Sequence, residues 1–95
     1  MRIVITHKHI RNGVKADPAN HPLKKAVDDI LRLGVYVRVK QASLFLYKEE
    51  PTEKTQPWRV IPLARSIVNW VKNFDLGFNH SPRTVWISLP KEVLK

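Results

Sequence analysis

Residues Val35 to Lys40 alternate without a break, with Val35, Val37 and Val39 on one side and Tyr36, Arg38 and Lys40 on the other. Period-two patterning of this kind fits a half-buried strand and no helix. Leu44 to Lys48 alternates in the same way, with Leu44 and Leu46 opposite Phe45 and Tyr47. Gln41-Ala42-Ser43 reads as the turn between them, so the centre of the chain is expected to be a hairpin.

Helical spacing flanks this centre on both sides. Leu23, Ala26, Val27, Ile30 and Leu31 form one apolar stripe. Pro22 stands at the first helical position, where its missing N–H is no loss, and Asn20 or His21 stands at the cap. Gly34 is placed to end this helix. A second stripe, Leu63, Ile67, Trp70, Val71 and Phe74, predicts a helix from near Pro62 to Gly77. At the start of the chain, Ile3-Val4-Ile5 predicts a strand over Arg2 to Thr6. Thr6 can cap a short helical turn from His7 to Asn12, with Gly13 stopping it. Thr84 to Leu89 predicts a last strand, with Val85, Ile87 and Leu89 inward and Trp86 outward.

Ninety-five residues with this patterning make one domain, 1–95. Within it, Glu49 to Trp58 carries three glutamates and two prolines and no aliphatic residue, and is expected to be a mobile loop. Residues 91–95 are expected to be a loose tail. The resulting order is β-α-β-β-α-β. The fold class is therefore α+β, with a four-stranded, mostly antiparallel sheet and two helices on one face. That order is the one the ferredoxin-like motif uses, and a layered arrangement with another strand order gives the same pattern.

Seventeen Lys and Arg against eight Asp and Glu give a net charge of +9. A domain of this size carries such charge on its surface, which points to polyanions as partners. If the helices cover one sheet face, the other shows Arg2, Tyr36, Arg38, Lys40, Phe45, Tyr47 and Trp86. Aromatic rings interleaved with cations on a sheet suit single-stranded nucleic acid, whose bases stack while its phosphates meet the cations. The same face could be a homodimer interface. The glycines and paired aromatics of an RNA-recognition consensus are not there. A second basic cluster, Lys8, Arg11 and Lys15, gathers near the first turn and joins Arg83 if the loops lie at one end.

Reactive constellations are scarce. There is no cysteine, hence no disulfide, thiolate site or Cys nucleophile. His7 and His9, with His21 or His80 as a third ligand, could hold a metal only if both lay on a strand; a helical turn splays their rings. No metal and no cofactor is expected. The serines lack a nucleophile-elbow context. Asp75 falls at the end of the second helix, against its dipole, so it is expected to hydrogen-bond a specific partner such as the backbone of the Asn79 to Arg83 turn. No apolar run reaches membrane-spanning length and no signal-peptide core opens the chain, which reads as soluble and cytoplasmic.

Ile3 to Gly13, read as I-V-I-T-H-K-H-I-R-N-G, resembles the start of small uncharacterised bacteriophage and prophage proteins. These open on a strand and then a Thr-x-x-His-Ile-x-x-Gly pattern, matched here by Thr6, His9, Ile10 and Gly13. Asp17, Pro22 and Leu23 also fit, as do Phe74, Asp75 and Gly77 before Pro82 and an aromatic-containing strand. His21 stands where those proteins often have cysteine, and the chain is more basic than they are. The resemblance implies a viral or mobile-element setting, in a bacterial host's cytoplasm, and no mechanism. Charge and resemblance together predict a small non-enzymatic accessory protein that binds DNA or RNA. The alternative is an interaction module that docks or inhibits an acidic host protein.

Overall fold

A computed structural model of the protein describes residues 1–40, 42–77 and 81–95. The fold is α+β, built from nine short elements among these residues. They are β1 (Arg2–Ile5), α1 (His7–Asn12), α2 (Pro22–Asp28), β2 (Tyr36–Lys40), β3 (Ser43–Tyr47), β4 (Arg59–Pro62), α3 (Arg65–Asp75), β5 (Arg83–Trp86) and a final 3-10 turn, Lys91–Val93.

The strands form two antiparallel sheets, where one four-stranded sheet was expected. β1 pairs with β5, with Arg2 opposite Trp86 and Val4 opposite Thr84. β2, β3 and β4 form a separate meander. The difference starts at β4, which the sequence hides between a polar loop and a proline-led helix. Arg59-Val60-Ile61-Pro62 pairs along β3, with Leu44 opposite Ile61 and Phe45 opposite Val60. Pro62 ends this edge strand, a place where proline's missing donor is tolerated. At the meander's other side, the β2 residue Val39 donates its N–H to the Pro18 carbonyl at 3.1 Å. The first and last strands are left to pair with each other. The ferredoxin-like arrangement and a two-helix layer therefore do not form.

Local chemistry sets the helix starts. Thr6 caps α1 by accepting the His9 N–H, and His9 returns the contact through Nδ1 to the Thr6 N–H at 3.0 Å, a capping box with His in place of Glu. His21 caps α2, with Pro22 in its first turn. α3 follows Ala64 without a side-chain cap. Gly77, at φ +83°, turns the chain away after α3, as its position predicts. Gly34 serves differently: α2 stops at Asp28, and Gly34 lies in the turn leading to β2.

The core lies between the helices and both sheets. Ile3, Ile5 and Val85 come from the ribbon, Val37, Val39, Leu44 and Leu46 from the meander. Leu23 and Val27 of α2 and Ile67, Trp70, Val71 and Phe74 of α3 complete it. Residues 91–95 belong to this body and are not a loose tail. Val93 is fully buried, Arg32 N–H donates to its carbonyl at 2.9 Å, and Leu94 bridges to Leu31. Two apolar residues in an otherwise charged end supply the reason, since burying them ties the end down. Val93→Ala is expected to lower the unfolding free energy by about 2 kcal/mol in urea denaturation, for the lost methyl groups and the small cavity left. An unchanged midpoint would mean the end is not docked.

Candidate functional site

The residues expected on one open face lie on two. Arg2 and Trp86 are cross-strand neighbours on the outer side of the ribbon, with Val4 and Thr84 beside them. Trp86 is 69% exposed, while Ile3 and Val85 beneath are buried. Tyr36, Arg38, Lys40 and Phe45 lie on the outer side of the meander, with Arg38 opposite Phe45. Tyr47 shares that side by its register but is 2% exposed, so it presents no ring to a partner. Phe45 is half-buried and carries the Lys40 ammonium 5.2 Å from its ring centre. Arg38 is half-buried and donates from Nη1 to the Val37 carbonyl at 2.9 Å.

Sequence reasoning missed Trp58, placed there in a loop. Two cations lie over its ring, with Lys48 Nζ 4.3 Å and Arg59 Cζ 4.7 Å from its centre. The Trp-Arg-Val-Ile run from 58 to 61 carries strand-forming residue types that could have revealed it.

In the second basic cluster, Lys8 and Arg11 share α1, three residues apart. Lys8 borders a groove with Lys24 and Lys25 between α1 and α2. The Lys15 ammonium sits at the end of α3, 3.0 Å from where a Cβ on Gly77 would stand. Arg83 is opposite Ile5 and borders a shallow cleft with Thr6 and His7. Arg11 is exposed on α1.

His9 bonds Asp29 Oδ2 through Nε2 at 2.7 Å, and its Nδ1 stands 3.1 Å from Thr6 Oγ1. A hydroxyl, an imidazole and a carboxylate in that order have the outline of a nucleophile, a base and an orienting group. Both inner contacts are committed elsewhere. The Nδ1 lone pair takes the Thr6 N–H, and the Thr6 hydroxyl takes the His9 N–H at 3.3 Å. The arrangement secures α1 to α2 and leaves no lone pair to activate Thr6. His7 is exposed on α1, and His80 lies outside the described residues. Among the described residues no three His, Asp or Glu side chains gather as a metal site.

His21 is buried, at 2% exposure. Its Nδ1 accepts the Leu23 N–H at 3.1 Å, so a neutral ring carries its proton on Nε2. Nε2 lies 3.3 Å from Asp75 Oδ1, at an angle that makes no hydrogen bond. The same oxygen accepts the Ala16 N–H at 2.8 Å. The partner of Asp75 is thus the loop after α1, where part of the expected Asn79 to Arg83 turn lies outside the described residues. Phe74 and Trp70 pack edge-on against the imidazole at 5.1 and 6.1 Å. Burial pushes the His21 pKa below its ordinary value and outweighs the pull of Asp75. A groove of about 600 Å³ runs beside this pair, walled by Val39, Val68, Val71 and Leu76. Its charges are mixed, with Asp17, Asp75, Lys40 and Lys72 all on its border.

Across the described surface the cations are largely unpaired. All 17 Lys and Arg are described, and only Lys24, with Asp28, and Arg59, with Glu92, form ion pairs there. His9 and His21 stand against two more of the eight acidic groups, Asp29 and Asp75. No helix among the described residues is long and apolar enough to cross a membrane. Compared with family models, curated proteins and solved structures, the chain matches none.

Proposed function

We propose that the protein is a non-catalytic binder of nucleic acid, held through its basic surface. One observation carries this reading: among the described residues, almost every cation lacks a carboxylate partner in a domain of net charge +9. Unpaired surface cations sum to a positive field that attracts a polyanion and releases its condensed counterions on contact. The phage-type setting and a location in the host cytoplasm rest on the sequence resemblance alone and belong to the same proposal.

The dispersal of the basic residues favours backbone contact over base-edge reading, because no recognition helix carries a row of them. It equally favours the second reading, an acidic host protein docked on the same surface. Salt titration of a labelled oligonucleotide tests the first. The logarithm of the affinity is expected to fall linearly with the logarithm of salt concentration, by about 0.7 per phosphate contacted in a single strand. No detectable binding at low salt overturns nucleic acid as the partner. Recovery of the same host protein with and without nuclease treatment would then support the second reading.

A further inference from the structure

Resting on that polyanion reading, we infer that the outer face of the β1–β5 ribbon is a stacking platform for an unpaired base, so that the nucleic acid bound is single-stranded. Most other described aromatic rings are not available to a base. Trp70 and Phe74 lie in the core, stacked on each other at 5.8 Å. Tyr47 is buried, Phe45 is half-buried under Lys40, and Trp58 is half-buried with Lys48 and Arg59 both over its ring. Tyr36 is 37% exposed beside Tyr47. Trp86 alone combines 69% exposure with a cation directly across the strand pair, Arg2.

The surroundings of Trp86 suit a nucleotide. Directly opposed residues on antiparallel strands stand close enough for one ligand to meet both, a base on the ring and its phosphate on the guanidinium. Val4, 45% exposed and diagonal to Trp86, extends the apolar floor, and Thr84 offers a hydroxyl next to it. Duplex bases are stacked on their neighbours and offer an exposed indole no face, whereas a single strand does. The ribbon is also anchored underneath, since Ile3, Ile5 and Val85 are buried in the core.

Fluorescence anisotropy with labelled oligo(dT) and with a duplex of equal length, at low salt, separates stacking from bare charge. Trp86→Lys adds a cation and removes the ring. It is expected to weaken oligo(dT) binding about tenfold and to leave duplex binding unchanged or stronger, while Trp86→Phe retains most of the affinity. Circular dichroism melts of the variants should match the unsubstituted protein, because the side chain points to solvent. Oligo(dT) binding by Trp86→Lys that equals or exceeds that of the unsubstituted protein overturns the platform and leaves the polyanion reading standing. If the unsubstituted protein binds neither probe, the polyanion reading itself fails.

Discussion

Gly13→Ala is expected to lower the melting temperature by about 10 °C, a large effect for one methyl group. A Cβ built on Gly13 would stand 2.4 Å from Pro22 Cγ, 2.5 Å from Cδ and 2.9 Å from the Pro22 backbone nitrogen. Pro22 cannot rotate its ring away, and it is fully buried at the first turn of α2. Relief therefore requires α2 or the loop before it to move, and α2 packs against α1, β1 and β2. Overpacking of this kind costs about 1–3 kcal/mol. In a domain of this length each kcal/mol shifts the melting temperature by about 4–8 °C. Backbone conformation contributes nothing here, because Gly13 has φ −80°, which any residue adopts. Gly34→Ala makes the matching control. It has φ +89° and nothing within 4 Å of its Cβ, so only the left-handed conformation opposes it, at about 1 kcal/mol. Thermal melts of both variants decide the matter, and a Gly13→Ala protein that melts no lower than Gly34→Ala would remove the close approach as the cause.

That contrast also shows what could be read from residues in order. Gly13 and Gly77 were legible as helix ends because composition near a helix terminus is a local matter. The contact that demands glycine at 13 was not, since it depends on where Pro22 arrives in space. The same division runs through the fold. Capping by Thr6 and His21 and the inward valines of β2 follow from local spacing, and the structure has them. The pairing of β1 with β5 spans nearly the whole chain, and no local pattern specifies it. β4 escaped because its proline, which starts helices elsewhere in this chain, here ends an edge strand. Of the candidate site, Arg2 and Trp86 were identified as outward-facing and are, but their separation from Tyr36 and Phe45 follows from the split sheet. Tyr47 has the alternation of an exposed residue and is buried, because period two assigns a side and cannot say what covers it.

Lowering the pH below about 6.5 is expected to destabilise the protein, and His21→Asn is expected to flatten that dependence. The folded pKa of His21 lies below its ordinary value of 6.5. From 6.5 downward the unfolded chain therefore takes up a proton that the folded ring refuses. Stability is complete above this range and falls as pH drops, with a limit of about 1.4 kcal/mol per pH unit until the folded ring also protonates. The geometry gives the reason. Nδ1 uses its lone pair on the Leu23 N–H, so a proton there would remove the α2 cap, and Nε2 already bears one. Asp75 is the acidic group facing the ring, and its Oδ1 is shared with the Ala16 N–H. Asp17 acts in the same direction but lower. Hydrogen bonds from Asn20 and the Ala19 N–H hold its pKa below 3.8, so its contribution is lost only as pH falls past that range. Asparagine keeps a capping acceptor at position 21 and has no titration, though it leaves a gap against Phe74 and Trp70. His21→Asn is thus expected to be less stable near neutrality by about 2–3 kcal/mol, and to converge with the unsubstituted protein as the pH is lowered. Urea denaturation midpoints of the two proteins, measured from about pH 8 to about pH 5, test this. Parallel curves would show that His21 takes up its proton equally in the folded and unfolded chains, and that neither its burial nor its cap to Leu23 opposes the charge.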